Sequence, residues 1–189
     1  MSEWTRVKWS EAAQVIELLD WATPSPEVGR MPPQTYFQDL RKASRLEDAV
    51  FFLGLALPRH ETVVWAARSV RDISEGRERS RAEADALKAA LLWAQDPSEL
   101  RRRAAFEAAK LAHHASAERL AAMAVFLSGG SLGPENVQAA PPPNDVAGKI
   151  GAGAILVAAA KGQHRIAAIN HALDEGDAMA RWGVNGPPR

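Results

Sequence analysis

Proline and glycine cut this chain into short segments, and within each segment the apolar residues recur at helical rather than strand spacing. That combination constrains the fold more than any other feature. The clearest case is Leu57-Pro58-Arg59-His60-Glu61-Thr62-Val63-Val64-Trp65-Ala66-Ala67-Arg68. Proline suits the start of a helix, where no amide donor is needed and its φ is already helical. Glu61 then falls in the first turn, where a negative charge complements the positive end of the helix dipole. Val63, Ala66, Val70 and Ile73 follow at helical spacing and predict a buried face. Glu61, Trp65, Arg68 and Asp72 form a second stripe. It reads either as a core tryptophan roofed by an ion pair or as a surface for a partner, because tryptophan and arginine are enriched at interaction hot spots.

The rest of the chain follows the same logic. Ser10 is expected to cap a helix that buries Ala12, Val15, Ile16, Leu18 and Leu19 and ends at Trp21. Pro24, Pro26, Gly29, Pro32 and Pro33 predict a loop. A helix from about 33 to 42 precedes another, with Ser44 and Glu47 as its capping box and a nearly all-apolar run from Ala49 to Leu57. That helix and the one after Pro58 are expected to form a central hairpin, with Trp65 at its margin between Glu61 and Arg68. Ser80 caps a helix through Ala94, with Ala84, Leu87, Leu91 and Ala94 facing inward. Asp96-Pro97 restarts a helix that carries Leu100, Ala104, Ala108 and Leu111, with Arg101 to Arg103 alongside. Ser116 and Glu118 open a further helix, which Gly129-Gly130 ends. Residues 131–144 are the longest loop, stiffened by Pro141-Pro142-Pro143. Asp145 caps a helix with Ala147, Gly151, Ala154 and Ala158 on one face. Glycine inside a helix costs about 1 kcal/mol relative to alanine, so a close neighbouring helix is expected there. The last helix spans about 164 to 182.

No useful run alternates in hydrophobicity, so the fold class is all-α: an irregular bundle of eight or nine short helices in antiparallel pairs. It is HEAT-like in part, at Asp96-Pro97 followed by Leu100-Arg101-Arg102-Arg103, although no period recurs. One domain covers 1–189. Its parts are N-terminal helices with a Pro-rich loop (1–43), central helices (44–128), a Gly/Pro-rich loop (129–144), a C-terminal helix pair (145–182) and a tail (183–189). A chain of 189 residues, 47% of them hydrophobic, can bury its own core. The lack of cysteine excludes disulfides, thiol catalysis and cysteine-ligated zinc. Basic and acidic residues balance at 23 each, which gives no electrostatic case for nucleic acid or an anionic membrane. The most apolar run, Ile150 to Ala160, is too short to span a bilayer. The start, Met1-Ser2-Glu3-Trp4, lacks a signal-peptide pattern. The expectation is a soluble, cytoplasmic protein.

Chemical motifs are sparse. His171 and Glu175 share a helix face, with His164 two turns earlier, so a metal stripe is conceivable in geometry. Such spacings are common on solvated helices, and no metal or other cofactor is expected. His113 and His114 are adjacent and point about 100° apart; they fit a helix end. Gly148-Lys149-Ile150-Gly151-Ala152-Gly153 lacks the spacing and the preceding strand of a phosphate loop. Arg77, Arg79, Arg81 and Arg101 to Arg103 are interleaved with Glu75, Glu78, Glu83 and Glu99, the pattern of a solvated face. No serine sits in a nucleophile turn. No catalytic residue is assigned. The two binding candidates are the stripe Glu61, Trp65, Arg68, Asp72 and the loop with Gly129, Gly130, Pro134, Pro141, Pro142 and Pro143.

Three segments together resemble an uncharacterised family of bacterial proteins, catalogued as a domain of unknown function. They are Leu57-Pro58-Arg59-His60-Glu61 through Val64-Trp65-Ala66; Phe126-Leu127-Ser128-Gly129-Gly130-Ser131-Leu132-Gly133-Pro134; and Pro141-Pro142-Pro143 followed by Val146-Ala147-Gly148. The resemblance spans roughly residues 45 to 180. It implies a neighbourhood of type VI secretion genes, near spike and effector genes. The family pattern favours arginine at the position of His60 and tryptophan at that of Val64, which argues against either being indispensable. It carries no catalytic residues to transfer. The function expected is a non-enzymatic protein-interaction module, an accessory or adaptor of a type VI-like secretion system. The alternatives are a small ligand-binding protein or enzyme, with a pocket under the Pro-rich loop using His164, His171 or Glu175, and an immunity-like protein that binds one toxin. The partner expected is a protein, a secretion component or effector.

Overall fold

Residues 59–73 and 146–160 form the pair of helices around which the others pack. The computed structural model describes residues 3–133 and 140–186. Among these it contains ten helices and no strand: α1 (Ala12–Leu18), α2 (Pro26–Gly29), α3 (Pro33–Lys42), α4 (Leu46–Ala56), α5 (Arg59–Ile73), α6 (Arg81–Gln95), α7 (Glu99–Leu111), α8 (Ala117–Leu127), α9 (Val146–Ala160) and α10 (Arg165–Trp182). The all-α class is as expected. The extra element is α2, a single turn inside the Pro-rich segment, where the Ser25 hydroxyl accepts from the Val28 amide at 3.4 Å.

Helices α5 and α9 pack closely, and each contributes to two separate apolar clusters. Val64, Trp65 and Ala66 of α5, with Ala152, Ile155 and Ala159 of α9, join a core built with α1, α3, α4 and α10. Val63, Ala67 and Val70 of α5, with Ala154 and Ala158 of α9, join a second core built with α6, α7 and α8. The expected α4–α5 hairpin is therefore corrected. Both helices pack far more extensively on α9 than on each other. The small residues of α9 explain this. A Cβ on Gly148 would lie 2.7 Å from the Gly54 carbonyl oxygen, and one on Gly54 would lie 3.0 Å from the Gly148 carbonyl oxygen. The α4 and α9 backbones cross at these glycines, which meets the expectation that a close neighbour offsets the glycine content of α9.

Caps follow the expected chemistry where serine precedes glutamate. Ser80 and Glu83 form a reciprocal capping box, and the Ser98 and Ser116 hydroxyls accept from the third amide of their helices. Four expected caps differ. Asp96, expected to open α7, is the C-cap of α6, and Ser98 is the N-cap of α7. The N-cap of α1 is Glu11, boxed with Gln14, so Ser10 lies one residue early. Ser44 adopts a left-handed φ of 58° and ends α3, leaving Arg45 as the N-cap of α4 without a side-chain bond. Asp145 is the N-cap of α9, but its carboxylate turns to Lys149 at 2.8 Å instead of capping.

The buried face of α6 is also rotated from expectation, and α7 turns a small-residue face inward. Helix α6 buries Ala86, Leu87, Ala90 and Trp93, while Ala84 is exposed. Helix α7 buries Arg102, Ala105 and Ala109. Leu100, Ala104 and Leu111 lie at the surface. Alanine occurs on several sides of α7, so its periodicity admits two stripes. The smaller one faces inward because α6 and α8 pack close against it.

Candidate functional site

The stripe on α5 is mostly consumed by the fold. Glu61 is buried and accepts from Arg6 at 3.0 Å. Its neighbour Thr62 donates to the Gly54 carbonyl at 3.0 Å, tying α5 to α4. Trp65 is fully buried, and its indole N–H donates to the Ala172 carbonyl of α10 at 2.6 Å. The expected marginal position of Trp65 is thus corrected: the indole fills the seam between α4, α5 and α10, out of a partner's reach. Arg68 donates to the Val184 carbonyl at 3.0 Å, fastening the segment after α10.

Asp72 ends the stripe differently. It accepts two bonds from Arg71, at 2.6 and 3.1 Å. One donor atom of Asp72, one of His171 and one of Glu175 all lie within 4.8 Å of one another. The structure therefore joins the expected His171–Glu175 pair to the α5 stripe. His164 sits apart from this group as the N-cap of α10. Burial pushes the Glu175 carboxyl above the ordinary carboxylate range, and the Asp72 charge adds to the shift. Its Oε2 is sealed from solvent without a hydrogen-bond partner. The sequence reading placed Asp72 on the α5 stripe but did not join it to His171 and Glu175, because that proximity depends on the pairing of α5 with α10, which no local spacing reveals.

The loop candidate converges on two arginines. Arg102 is only 3% exposed. Its guanidinium stacks on Phe126 at 4.6 Å, pairs with Glu99, and donates to the carbonyls of Phe126 (2.5 Å) and Ser131 (2.9 Å). Gly130 makes this possible, with φ of 67° and no room for a Cβ, which would lie 2.7 Å from the Arg102 guanidinium. Arg59 donates to the Asn144 side chain on the far side of the loop. Of the triplet expected on a solvated face, Arg102 is thus an internal strut. Arg77 and Arg79 likewise turn inward, to the Ala158 carbonyl (2.9 Å) and to Glu118 (3.0 Å). Pro142 is buried, whereas Pro141 and Pro143 are exposed; Pro134 lies outside the described residues.

An open groove of about 370 Å³ lies between Arg59, His60, Trp93, Ser98 and Gly129–Gly130. His60 packs its ring 5.6 Å from Trp93, with Nε2 sealed and unpaired. A second pocket, of about 250 Å³, reaches from Lys8 and Trp9 to Asn144 and Gly148. Neither is lined by His164, His171 or Glu175, so the groups expected to share a site under the loop lie apart.

The outer face of α7 is the remaining candidate, which the sequence reading had not named as a site. Leu100 is 81% exposed and Leu111 79%. Ala104 and Glu107 lie between them on the same exposed stripe. Leu92, whose carbonyl accepts from Arg101 at 2.7 Å, adds apolar surface near its start. Arg103 and Lys110 flank the stripe, paired with Glu99 and Glu107.

Fold and sites together define an all-helical protein with a closely packed central pair, a groove under its Gly-Gly turn and an apolar stripe on one outer helix. No helix among the described residues is long and apolar enough to cross a membrane. The chain belongs to a family of unknown function (DUF6931), whose model matches residues 36–180. No curated protein and no solved structure matches it.

Proposed function

We propose that the protein is a non-enzymatic, cytoplasmic interaction module that docks a partner protein on the outer face of α7. The observation that carries this reading is the pair Leu100 and Leu111, spaced three turns apart and almost fully exposed. Apolar side chains at such spacing suit a partner helix or groove. The charged rim of Arg103, Glu107 and Lys110 fits the polar border of a docking patch. The resemblance to proteins of type VI secretion neighbourhoods supplies the context: an accessory or adaptor protein whose partner is a secretion component or effector. An immunity-like role is the variant in which the face serves one toxin, and protection of cells during toxin expression distinguishes it.

The test is affinity capture from the native bacterium with wild-type protein and with Leu100→Glu/Leu111→Glu. Recovery of a spike, effector or sheath component by the wild type, lost in the double variant at unchanged thermal stability, is the expected result. Equal recovery by both forms removes α7 as the site. Recovery of no secretion component removes the adaptor reading. A second reading, small-ligand binding in the groove, is favoured by the sealed, unpaired His60 Nε2 on its wall. It uses His60 in place of His164, His171 and Glu175, and His60→Phe would abolish ligand binding while leaving partner capture intact.

A further inference from the structure

Where α5 meets α10, three side chains of ligating type come together from two helices. His171 and Glu175 are one turn apart on α10, the spacing at which two side chains of one helix share an ion. Asp72 reaches them from the last turn of α5, and one donor atom of each lies within 4.8 Å of the others. We infer that Asp72, His171 and Glu175 form a binding site for a divalent ion of the zinc class, clipping α5 to α10.

Two observations support this. First, the Glu175 Oε2 is sealed from solvent and accepts no hydrogen bond, although a buried carboxylate oxygen ordinarily has a donor. A cation satisfies it. Second, the donor set is one imidazole and two carboxylates. Imidazole favours zinc, cobalt or nickel over magnesium and calcium, which prefer oxygen alone. Ligands at about 2.0–2.2 Å from one zinc sit roughly 3.5 Å apart, so the cluster has to contract by about an ångström. The side chains can do so, since His171 is 61% exposed and Asp72 28%. Water fills the fourth position.

Arg71 is the built-in competitor, because its guanidinium occupies both Asp72 oxygens. Its side chain is half-exposed and can swing to solvent as the ion enters. Arg68 does not compete in this way, being held by the Val184 carbonyl.

The experiment is titration of the full chain with Co²⁺, read by its visible absorption, and with Zn²⁺ by calorimetry. Both are done in a His113→Ala/His114→Ala background, because those two rings lie 4.4 Å apart and could bind an ion themselves. The expected result is one ion per chain and no binding of Mg²⁺ at the same concentration. His171→Ala and Glu175→Gln should each weaken affinity by about tenfold or more, and Arg71→Ala should tighten it. Circular dichroism checks that each variant remains helical. No saturable binding, or unchanged affinity in His171→Ala, overturns the proposal.

Discussion

Trp65→Ala tests whether the seam between α4, α5 and α10 carries the fold. The indole is fully buried, and Phe or Trp truncation in a core costs about 3–5 kcal/mol. Loss of the bond to the Ala172 carbonyl adds about 1 kcal/mol. That carbonyl lies inside α10 and keeps its helical partner, so no larger penalty for an unpaired group applies. The expected cost is about 4–6 kcal/mol, a large share of the roughly 5–15 kcal/mol that stabilises a typical domain. At about 2–4 °C per kcal/mol for a chain of this length, the melting temperature should fall by roughly 8–24 °C. Urea denaturation followed by circular dichroism measures this as a shifted midpoint at constant slope. Trp65→Phe keeps one ring and loses the N–H, so its cost should be well under half of the alanine value. A cost below about 1.5 kcal/mol for Trp65→Ala would place the indole outside a packed core. Equal costs for the two variants would mean that the hydrogen bond, and not packing, holds the seam.

Four further outcomes follow from the same structure. Gly148→Val should destabilise strongly and impair expression, because even a Cβ there meets the Gly54 carbonyl; thermal melts of the purified variant check it. Arg102→Ala should cost about 2–4 kcal/mol in urea denaturation, because it leaves the Phe126 and Ser131 carbonyls without their donor. Ser80→Ala removes a reciprocal cap and should cost about 1 kcal/mol in the same assay. Glu175→Gln should stabilise the apoprotein at neutral pH. The raised carboxyl pKa means that the folded state binds its proton more tightly, so the associated stability is complete below the unfolded pKa and is lost as pH rises through the folded one. Denaturation at pH 7 and near pH 4 should show the gain from Glu175→Gln at the higher pH only.

What the sequence showed well was local. The helix after Pro58, the caps Ser80 and Ser116 and the stop at Gly129–Gly130 each depend on residues within one turn of each other. Failures came where a distant partner decides. Ser44 looked like a cap beside Glu47, yet Ser44 turns left-handed to end α3, and Glu47 pairs with Arg165 of α10. The α4–α5 hairpin seemed natural from their adjacency, but the glycines of α9 let a later helix come in against both. The arginines suggested a solvated face because their partners are mainly backbone carbonyls, which composition does not display. Of the candidate sites, His171 and Glu175 were visible as a pair, whereas Asp72 became their neighbour only through the packing of α10 on α5.

The orientation of α7 shows why its exposed leucines bear on function more than on folding. Turning the helix to bury Leu100 and Leu111 would gain about 1.5–3 kcal/mol for each side chain. The same rotation would withdraw Arg102 from two carbonyls, at about 1–3 kcal/mol for each group left unpaired. It would also drive leucine into the space that Ala105 and Ala109 fill, with an overpacking cost of about 1–3 kcal/mol. The losses match or exceed the gain, so Arg102 and the alanines hold the helix as it is. Leu100 and Leu111 remain outside as a consequence, and the fold does not need them to be apolar. Polar substitution at an exposed site of this kind is usually neutral within about 0.5 kcal/mol. Leu100→Glu should therefore leave the urea midpoint unchanged, and a marked loss of stability would show that this face is already covered, for example by a second copy of the chain.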